Sequence, residues 1–437
     1  MRTETAGAGW GLLLAPLGLL VMGLMVLWLK AHPQGVQAGA QSVLLGMDYL
    51  PYILLALAEL IALQAMLLRK RYDTALLPLV MLLVSLGLIE IARLKPELCA
   101  AQLRWLCISL LTAFIVLLFW ARIKQLLAYQ YLLGIACVLI LGLPMLFGTE
   151  IGGSRNWLVF GPFSVQPSEF GKILLLFFLA AYLSDHRRVL TLPARSVGPL
   201  VLPPLRFIAP LICIWGAAVL MFVVERDLGS ALLFFGMAVL MTYMATGSKT
   251  YVFLALAFIG VAAALSYMAF GHVRVRFDIW LDPWQDPNGM AYQVVQSLFA
   301  FGTGGIWGTG FGFGHPGFIP EVHTDFIYAA IAEEWGLVGS LSVLLCYVLL
   351  AWRGVRLALA CREMREALLA AGVALLLLLQ ALIIIAGVTK FLPLTGITLP
   401  FVSYGGSSMV AGFIEIGILL SLSRQPQARA KERDSHA

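Results

Sequence analysis

Charge is scarce in this chain. Only 12% of its 437 residues are Asp, Glu, Lys or Arg, against 61% hydrophobic, and the mean hydropathy is +0.93. That balance excludes a soluble globular domain, whose surface needs about a quarter charged residues. Cysteine is also sparse. Cys99, Cys107, Cys137, Cys213, Cys346 and Cys361 are scattered, form no C-x-x-C pair and lie mostly in apolar segments. Small-residue packing explains them better than a disulfide framework or a metal site. No long basic run with interleaved aromatics is present, so the net charge of +6 does not point to nucleic acid. It fits the basic cytoplasmic loops of a membrane protein.

What is present is one apolar run after another. Twelve segments, near 11–29, 50–68, 74–92, 105–121, 130–148, 168–184, 207–224, 228–246, 250–270, 326–352, 367–388 and 406–422, are each long enough to span a bilayer as a helix. The sequence predicts an all-α polytopic membrane protein. Ala38-Gly39-Ala40 after the first segment resembles a cleavage site, but the apolar run is long for a signal peptide and only Arg2 precedes it, which favours a retained anchor. With the N-terminus in the cytoplasm and alternating sides, 19 of the 29 Lys and Arg fall on the cytoplasmic side. Both termini are then expected inside, with segments 149–167, 271–325 and 389–405 outside. The residues after Arg424 read as a short, charged, irregular tail.

The outer segments concentrate the polar residues. Gly152-Gly153-Ser154-Arg155-Asn156-Trp157 precedes Gln166-Pro167-Ser168-Glu169-Phe170-Gly171-Lys172, where Pro167 suits a first helical turn and Ser168 a cap. Glu169 and Lys172 share a helix face and can pair, either as a structural bridge or as the polar wall of a cavity for a charged headgroup. Glu225-Arg226-Asp227 makes a tight turn, with Asp227 a helix cap or a ligand contact. Asp282 and Asp286 each precede a proline, which holds the carboxylate on extended, rigid backbone. Each suits a general base, a metal ligand or a turn-former. The glycine ladder at 302–314 is no Walker or Rossmann fingerprint. It permits either backbone approach to phosphate or a loop folded tightly on helices. Glu321, His323 and Asp325 suit a divalent ion, or Thr324 and Asp325 a helix cap. Glu333 and Glu334 inside an apolar helix are functional candidates by default. Prolines and glycines across 392–408 predict broken backbone lining a cavity.

GSRNW, QPSEFGK, ERDLGS, DPWQDPNGMAYQVVQSL, IPEVHTDFIYAAIAEEWGLVG and PLTGITLPFVSYGGSS, in that order, resemble the successive signatures of the RodA/FtsW/SpoVE family of bacterial envelope proteins, over about residues 73–422. The resemblance implies a ten-helix core at 73–422, a two-helix N-terminal extension at 1–72 and a tail at 423–437. It also implies peptidoglycan glycosyltransferase activity on lipid II, the undecaprenyl-linked disaccharide-peptide, together with a class B penicillin-binding protein. By resemblance the essential Asp is Asp286. Arg155, Trp157, Glu169, Lys172, Asp227 and Arg276 match further family positions. Gln293, Gln296, His323 and Ser403 fall within the remaining motifs and are read as substrate contacts. The helix before PLTG is aliphatic where many members carry Asn, which leaves the subfamily open between elongation, division and sporulation.

The residues suit that chemistry. A β-1,4 link needs a base for the GlcNAc 4-hydroxyl as it attacks an anomeric carbon, and one carboxylate suffices for an inverting attack. The leaving pyrophosphate wants Arg, Lys, backbone N–H groups or a divalent cation such as Mg2+ or Mn2+. Two other readings use the same features. A lipid II flippase would show paired ionisable residues near the midplane, and a non-catalytic scaffold would leave the polar outer loop without a role.

Overall fold

The computed structural model describes residues 2–31, 50–70, 72–151, 154–161, 163–191, 195–197, 200–202 and 205–435. Ala38-Gly39-Ala40, Arg71 and Gly152-Gly153 lie outside the described residues. The helices are α1 (Arg2–Ala31), α2 (Leu50–Lys70), α3 (Leu76–Leu94), α4 (Pro96–Ile123), α5 (Gln130–Phe147), α6 (Pro167–Leu190), α7 (Leu205–Glu225), α8 (Leu228–Thr246), α9 (Lys249–Ala269), α10 (Gly271–Leu281), α11 (Tyr292–Gly304), α12 (Ile327–Ala360), α13 (Met364–Val388) and α14 (Gly406–Ser435).

Every one of the twelve apolar runs is helical. Among the described residues eleven helices are long and apolar enough to cross a bilayer, and α7 contributes a shorter apolar stretch, Ala209–Glu225. The chain is a polytopic α-helical membrane protein.

Four regions depart from expectation. The segment before α6 is not a plain loop: β1 (Thr149–Ile151), β2 (Ser154–Phe160) and β3 (Phe163–Val165) form an antiparallel sheet with β2 central. A second hairpin pairs β4 (Arg195–Val197) with β5 (Leu200–Leu202). The 271–325 stretch carries two helices of its own, α10 and α11. The tail continues α14 to Ser435 instead of ending it, because its Ala, Arg, Lys and Glu are good helix formers.

Two compact units divide the chain. One comprises 1–118, 292–353 and 398–437, the other 119–291 and 354–397. In the first, α14 is the central helix, with 94% of its span buried. Arg353 grips Asp73 with both Nη2 and Nε (2.9 and 3.1 Å), and the Asp73 amide donates to Ser423 Oγ at 2.9 Å. In the second, α6 and α13 are the most buried spans, at 78% and 72%, joined by Lys172 Nζ donating to Gln380 Oε1 (2.9 Å). Arg365 clasps Asp185 at 2.8 Å. By contrast α9 buries only Tyr251 near its start and presents the apolar side chains of its remaining length outward, as a lipid-facing helix does.

Within the first unit α12 is broken. Gly336 sits at φ 67, ψ −165 inside the helix, a region closed to side-chain-bearing residues. The break strips carbonyls and amides of their helical partners, and the glycine ladder supplies replacements. Thr309 N and Gly310 N donate to the carbonyls of Glu333 (2.9 Å) and Glu334 (3.1 Å), while Leu337 N and Val338 N donate to those of Gly305 (2.9 Å) and Ile306 (3.3 Å). A Cβ on Gly336 would stand 2.3 Å from Gly308 N. The ladder therefore docks backbone against backbone. Gly336→Ala is expected to cost about 3 kcal/mol or more, seen as a fall in Tm in detergent. Gly260→Ala, in an open helical position of α9, should stay within about 1 kcal/mol of the parent.

Candidate active site

In the second unit, β2 presents Arg155, Asn156 and Trp157 in alternation. Arg155 is exposed and donates from Nε to Gly148 O at 2.9 Å. Trp157 is half-buried and pairs across the sheet with Thr149. Asn156 points inward and donates from Nδ2 to Asp227 Oδ2 (2.9 Å). Asp227 also accepts from Gln166 Nε2 (3.4 Å), Ser230 N (2.9 Å) and Ser230 Oγ (2.8 Å). Four donors on one buried carboxylate make Asp227 the N-cap of α8, the arrangement that best stabilises a helix start.

Glu169 and Lys172 are buried on one face of α6 with Oε2 and Nζ 2.7 Å apart. Gln166 is the N-cap and Pro167 the first helical residue, so Ser168 does not cap this helix. Glu169 sits in the first turn, where the helix dipole favours a carboxylate. Gln380, 208 residues further along, also accepts from the lysine.

Helix α10 is clamped to the segment after α13. Arg276 Nη1 donates to the carbonyls of Leu394 (3.3 Å) and Thr395 (3.4 Å), Trp280 Nε1 to that of Lys390 (3.1 Å), and Lys390 Nζ back to Leu281 O (3.4 Å). This frame carries the two candidate bases, whose environments differ. Asp282 caps a short 3-10 helix, Pro283–Gln285, with Oδ1 accepting from Trp284 N (3.1 Å) and Oδ2 from Gln285 Nε2 (3.3 Å). Asp286 is exposed and engages one oxygen only: Oδ2 accepts from Met290 N at 2.9 Å, and Oδ1 has no partner among the described residues. The carboxylate lies so close over Gly289 that a Cβ there would stand 2.2 Å from Oδ2. One oxygen fixes the rotamer and the other is available. His272, in the first turn of α10, is held below its ordinary pKa by burial and by the charges of Arg226 and Arg276.

Gln293, Gln296, His323 and Ser403 belong to the first unit. Gln293 and Gln296 share one face of α11, and Gln293 Nε2 donates to Pro320 O (3.0 Å). His323 is 5% exposed, with its ring 5.7 Å from that of Tyr404. Burial lowers its pKa, opposed by Glu321, whose Oε2 is 3.7 Å from Nε2. Ser403 Oγ donates to Thr324 O and accepts from Leu399 N at 2.9 Å, which pins two loops. Glu333 Oε1 accepts from His315 N (2.7 Å), Glu334 lies 2.5 Å from Arg93, and Arg93 also donates to Gly314 O (2.7 Å). Both intramembrane glutamates thus hold the glycine loop. Among the described residues no three His, Cys, Asp or Glu side chains converge to hold a metal ion. Asn156, Gln166, Ser230, Gln380 and Gly289 were missed by sequence reading, since neutral polar residues and glycines carry no signal until their long-range partners are known.

Comparison with known proteins agrees with these motifs. The chain matches the model of the FtsW/RodA/SpoVE family, described as a cell cycle protein, over residues 64–428. The peptidoglycan glycosyltransferase RodA of Mycobacterium tuberculosis (strain ATCC 25618 / H37Rv) is 40% identical over 364 residues, covering 80% of this chain and 78% of that protein. Stage V sporulation protein E of Bacillus subtilis (strain 168) is 35% identical over 301 residues, covering 68% and 79%. Among solved structures, a chain of a peptidoglycan synthase complex that coordinates polymerization and crosslinking aligns with a TM-score of 0.66 and 30% identity, over 81% of this chain and 98% of that one. The rod shape determining protein RodA of Thermus thermophilus aligns with a TM-score of 0.57 and 29% identity, over 81% and 97%.

The buried pair yields an ordered expectation. Glu169→Ala leaves a lysine cation, 2% exposed, beside a neutral glutamine, at a cost of about 3–5 kcal/mol. Lys172→Ala leaves the carboxylate at a helix N-terminus, which offsets about 1 kcal/mol of its cost. Thermal denaturation in detergent should rank Glu169→Ala below Lys172→Ala. Equal falls, or the reverse order, would contradict the pairing.

Proposed function

The chain belongs to the FtsW/RodA/SpoVE family, and from that premise we propose that it is a peptidoglycan glycosyltransferase that polymerises lipid II at the outer face of the bacterial cytoplasmic membrane, with both termini in the cytoplasm. The activity rests on the family and on relatives that carry that name. The orientation rests on the excess of Lys and Arg in the inner loops.

The observation that carries the mechanism is the asymmetry of the two aspartates. A general base needs a lone pair aimed at its proton and a fixed position. Asp286 has both, one oxygen tied to Met290 N and one available, whereas Asp282 has both oxygens committed to its cap. Asp286 Oδ1 takes the proton from the 4-hydroxyl of the acceptor GlcNAc as that oxygen attacks the anomeric carbon of the donor. The C–O bond to the lipid pyrophosphate breaks with inversion, and the pyrophosphate leaves with the electron pair. Arg155 and Arg276 supply positive charge for it; Lys172 contributes less, because Glu169 already balances it.

A divalent cation would supply further charge neutralisation to the pyrophosphate. The described residues offer it no cluster of carboxylates or imidazoles, so any such ion enters on the substrate's phosphates. Cross-linking of the new glycan falls to a class B penicillin-binding protein, a pairing supported by the likeness to a synthase complex that couples polymerization with crosslinking.

Polymerisation of labelled lipid II by the purified chain with its transpeptidase tests the assignment. Asp286→Asn should lower the rate by about 100-fold or more. Asp282→Asn should stay within roughly threefold of the parent, since Asn caps a helix as well as Asp does. Equal loss in both would remove Asp286 as the unique base. A folded parent that makes no polymer yet moves lipid II across vesicle membranes would be a flippase.

A further inference from the structure

The polar atoms of the second unit that are buried without a hydrogen-bond partner among the described residues include Asn156 Oδ1, Glu225 Oε1 and Thr395 Oγ1. Their residues are 7%, 3% and 7% exposed. A native protein rarely leaves such atoms unmatched, and each asks for water or a ligand. All three belong to residues that adjoin the start of α8. Asn156 is fixed by its Nδ2 bond to the cap Asp227 (2.9 Å), which assigns its oxygen as the uncommitted end. Glu225 ends α7 two residues before that cap, across the turn at Arg226, whose φ is 61. Thr395 packs on Gly229 in the first turn: a Cβ on that glycine would stand 3.1 Å from Thr395 Cβ and 2.7 Å from its carbonyl oxygen.

Asn156 Oδ1 only accepts, the Glu225 carboxyl accepts and, when protonated, donates, and the Thr395 hydroxyl accepts or donates. Phosphate oxygens offer no donor to Asn156 Oδ1. A cation would find at most one carboxyl group, because Asp227 is already committed to four donors. A neutral ligand rich in O–H and N–H donors fits best. We propose that Asn156, Glu225 and Thr395 form a carbohydrate subsite that recognises hydroxyl and acetamido groups of the substrate's amino sugars. This rests on the glycosyltransferase reading and adds residues to it. Arg276, through its bonds to the carbonyls of Leu394 and Thr395, holds the strap carrying Thr395 to the helix that leads into Asp286. Sugar recognition and the base therefore share one frame.

The test compares two ligands, lipid II and undecaprenyl pyrophosphate, which differ by the sugars and peptide. Binding to the full chain is measured in detergent with EDTA present, for the parent, Thr395→Val and Glu225→Gln. Thr395→Val is expected to weaken lipid II about tenfold and leave undecaprenyl pyrophosphate unchanged, with Tm unchanged or raised because a buried unmatched hydroxyl is gone. Glu225→Gln keeps an acceptor and should weaken lipid II by less. Equal loss for both ligands, or a fall in Tm that accounts for the loss, would overturn the subsite, as would no loss for either, which would mean ordered water alone. Polymerisation by the same preparations is scored separately. A chain that binds lipid II through its sugars but makes no polymer keeps the subsite and loses the enzyme; one that polymerises with Thr395→Val as tight as the parent loses the subsite alone.

Discussion

Hydrocarbon offers no hydrogen bonds, so every polar group placed at membrane depth must find its partner within the protein. The structure depends on that constraint more than on any single contact. It explains why breaking α12 at Gly336 requires a glycine-rich loop beside it. Four backbone bonds lost by the helix are remade by residues 305–310, and only a loop without side chains at its closest points comes near enough. The loop is in turn anchored by Glu333 through His315 N and by Arg93, which spans Glu334 and Gly314 O. Trp335 adds a bond from its indole N–H to Glu90 Oε1 at 2.8 Å. A break in one helix thus recruits ionisable residues from another.

The same constraint uses up much of the scarce charge. Glu169 and Lys172, Arg353 and Asp73, and Asp227 with its four donors are all committed inside the fold. Intramembrane ionisable residues are functional candidates in general, but here several serve architecture. A carboxylate that keeps an oxygen uncommitted is then informative. Asp286 stands on a frame rigidified by prolines and by the clamp between α10 and the 390–395 segment, which is what a positioned base requires.

How far the sequence foretold this follows the range of each interaction. The twelve apolar helical runs, eleven of them long enough to span a bilayer, were legible because hydropathy is a local sum. So was the pairing of Glu169 with Lys172, since three residues on a helix fix their separation. The helices α10 and α11 were not legible, because their polar and apolar residues mix within 271–304 without a long run. The sheet at 149–165 was hidden by a segment too short to show a period. The glycine ladder could not be interpreted alone, since phosphate and a broken helix call for the same absent side chains. Its partner lies at Gly336, and nothing local links the two.

Neutral polar residues mark the limit of that legibility. Gln380 meets Lys172 across 208 residues and Asn156 meets Asp227 across 71, and neither glutamine nor asparagine stands out in sequence as a charged residue does. Yet the unmatched oxygen of Asn156 becomes readable once its amide is seen bound. At the start of α8 the open oxygens of Asn156, Glu225 and Thr395 carry more chemical information than charges whose partners are already in place.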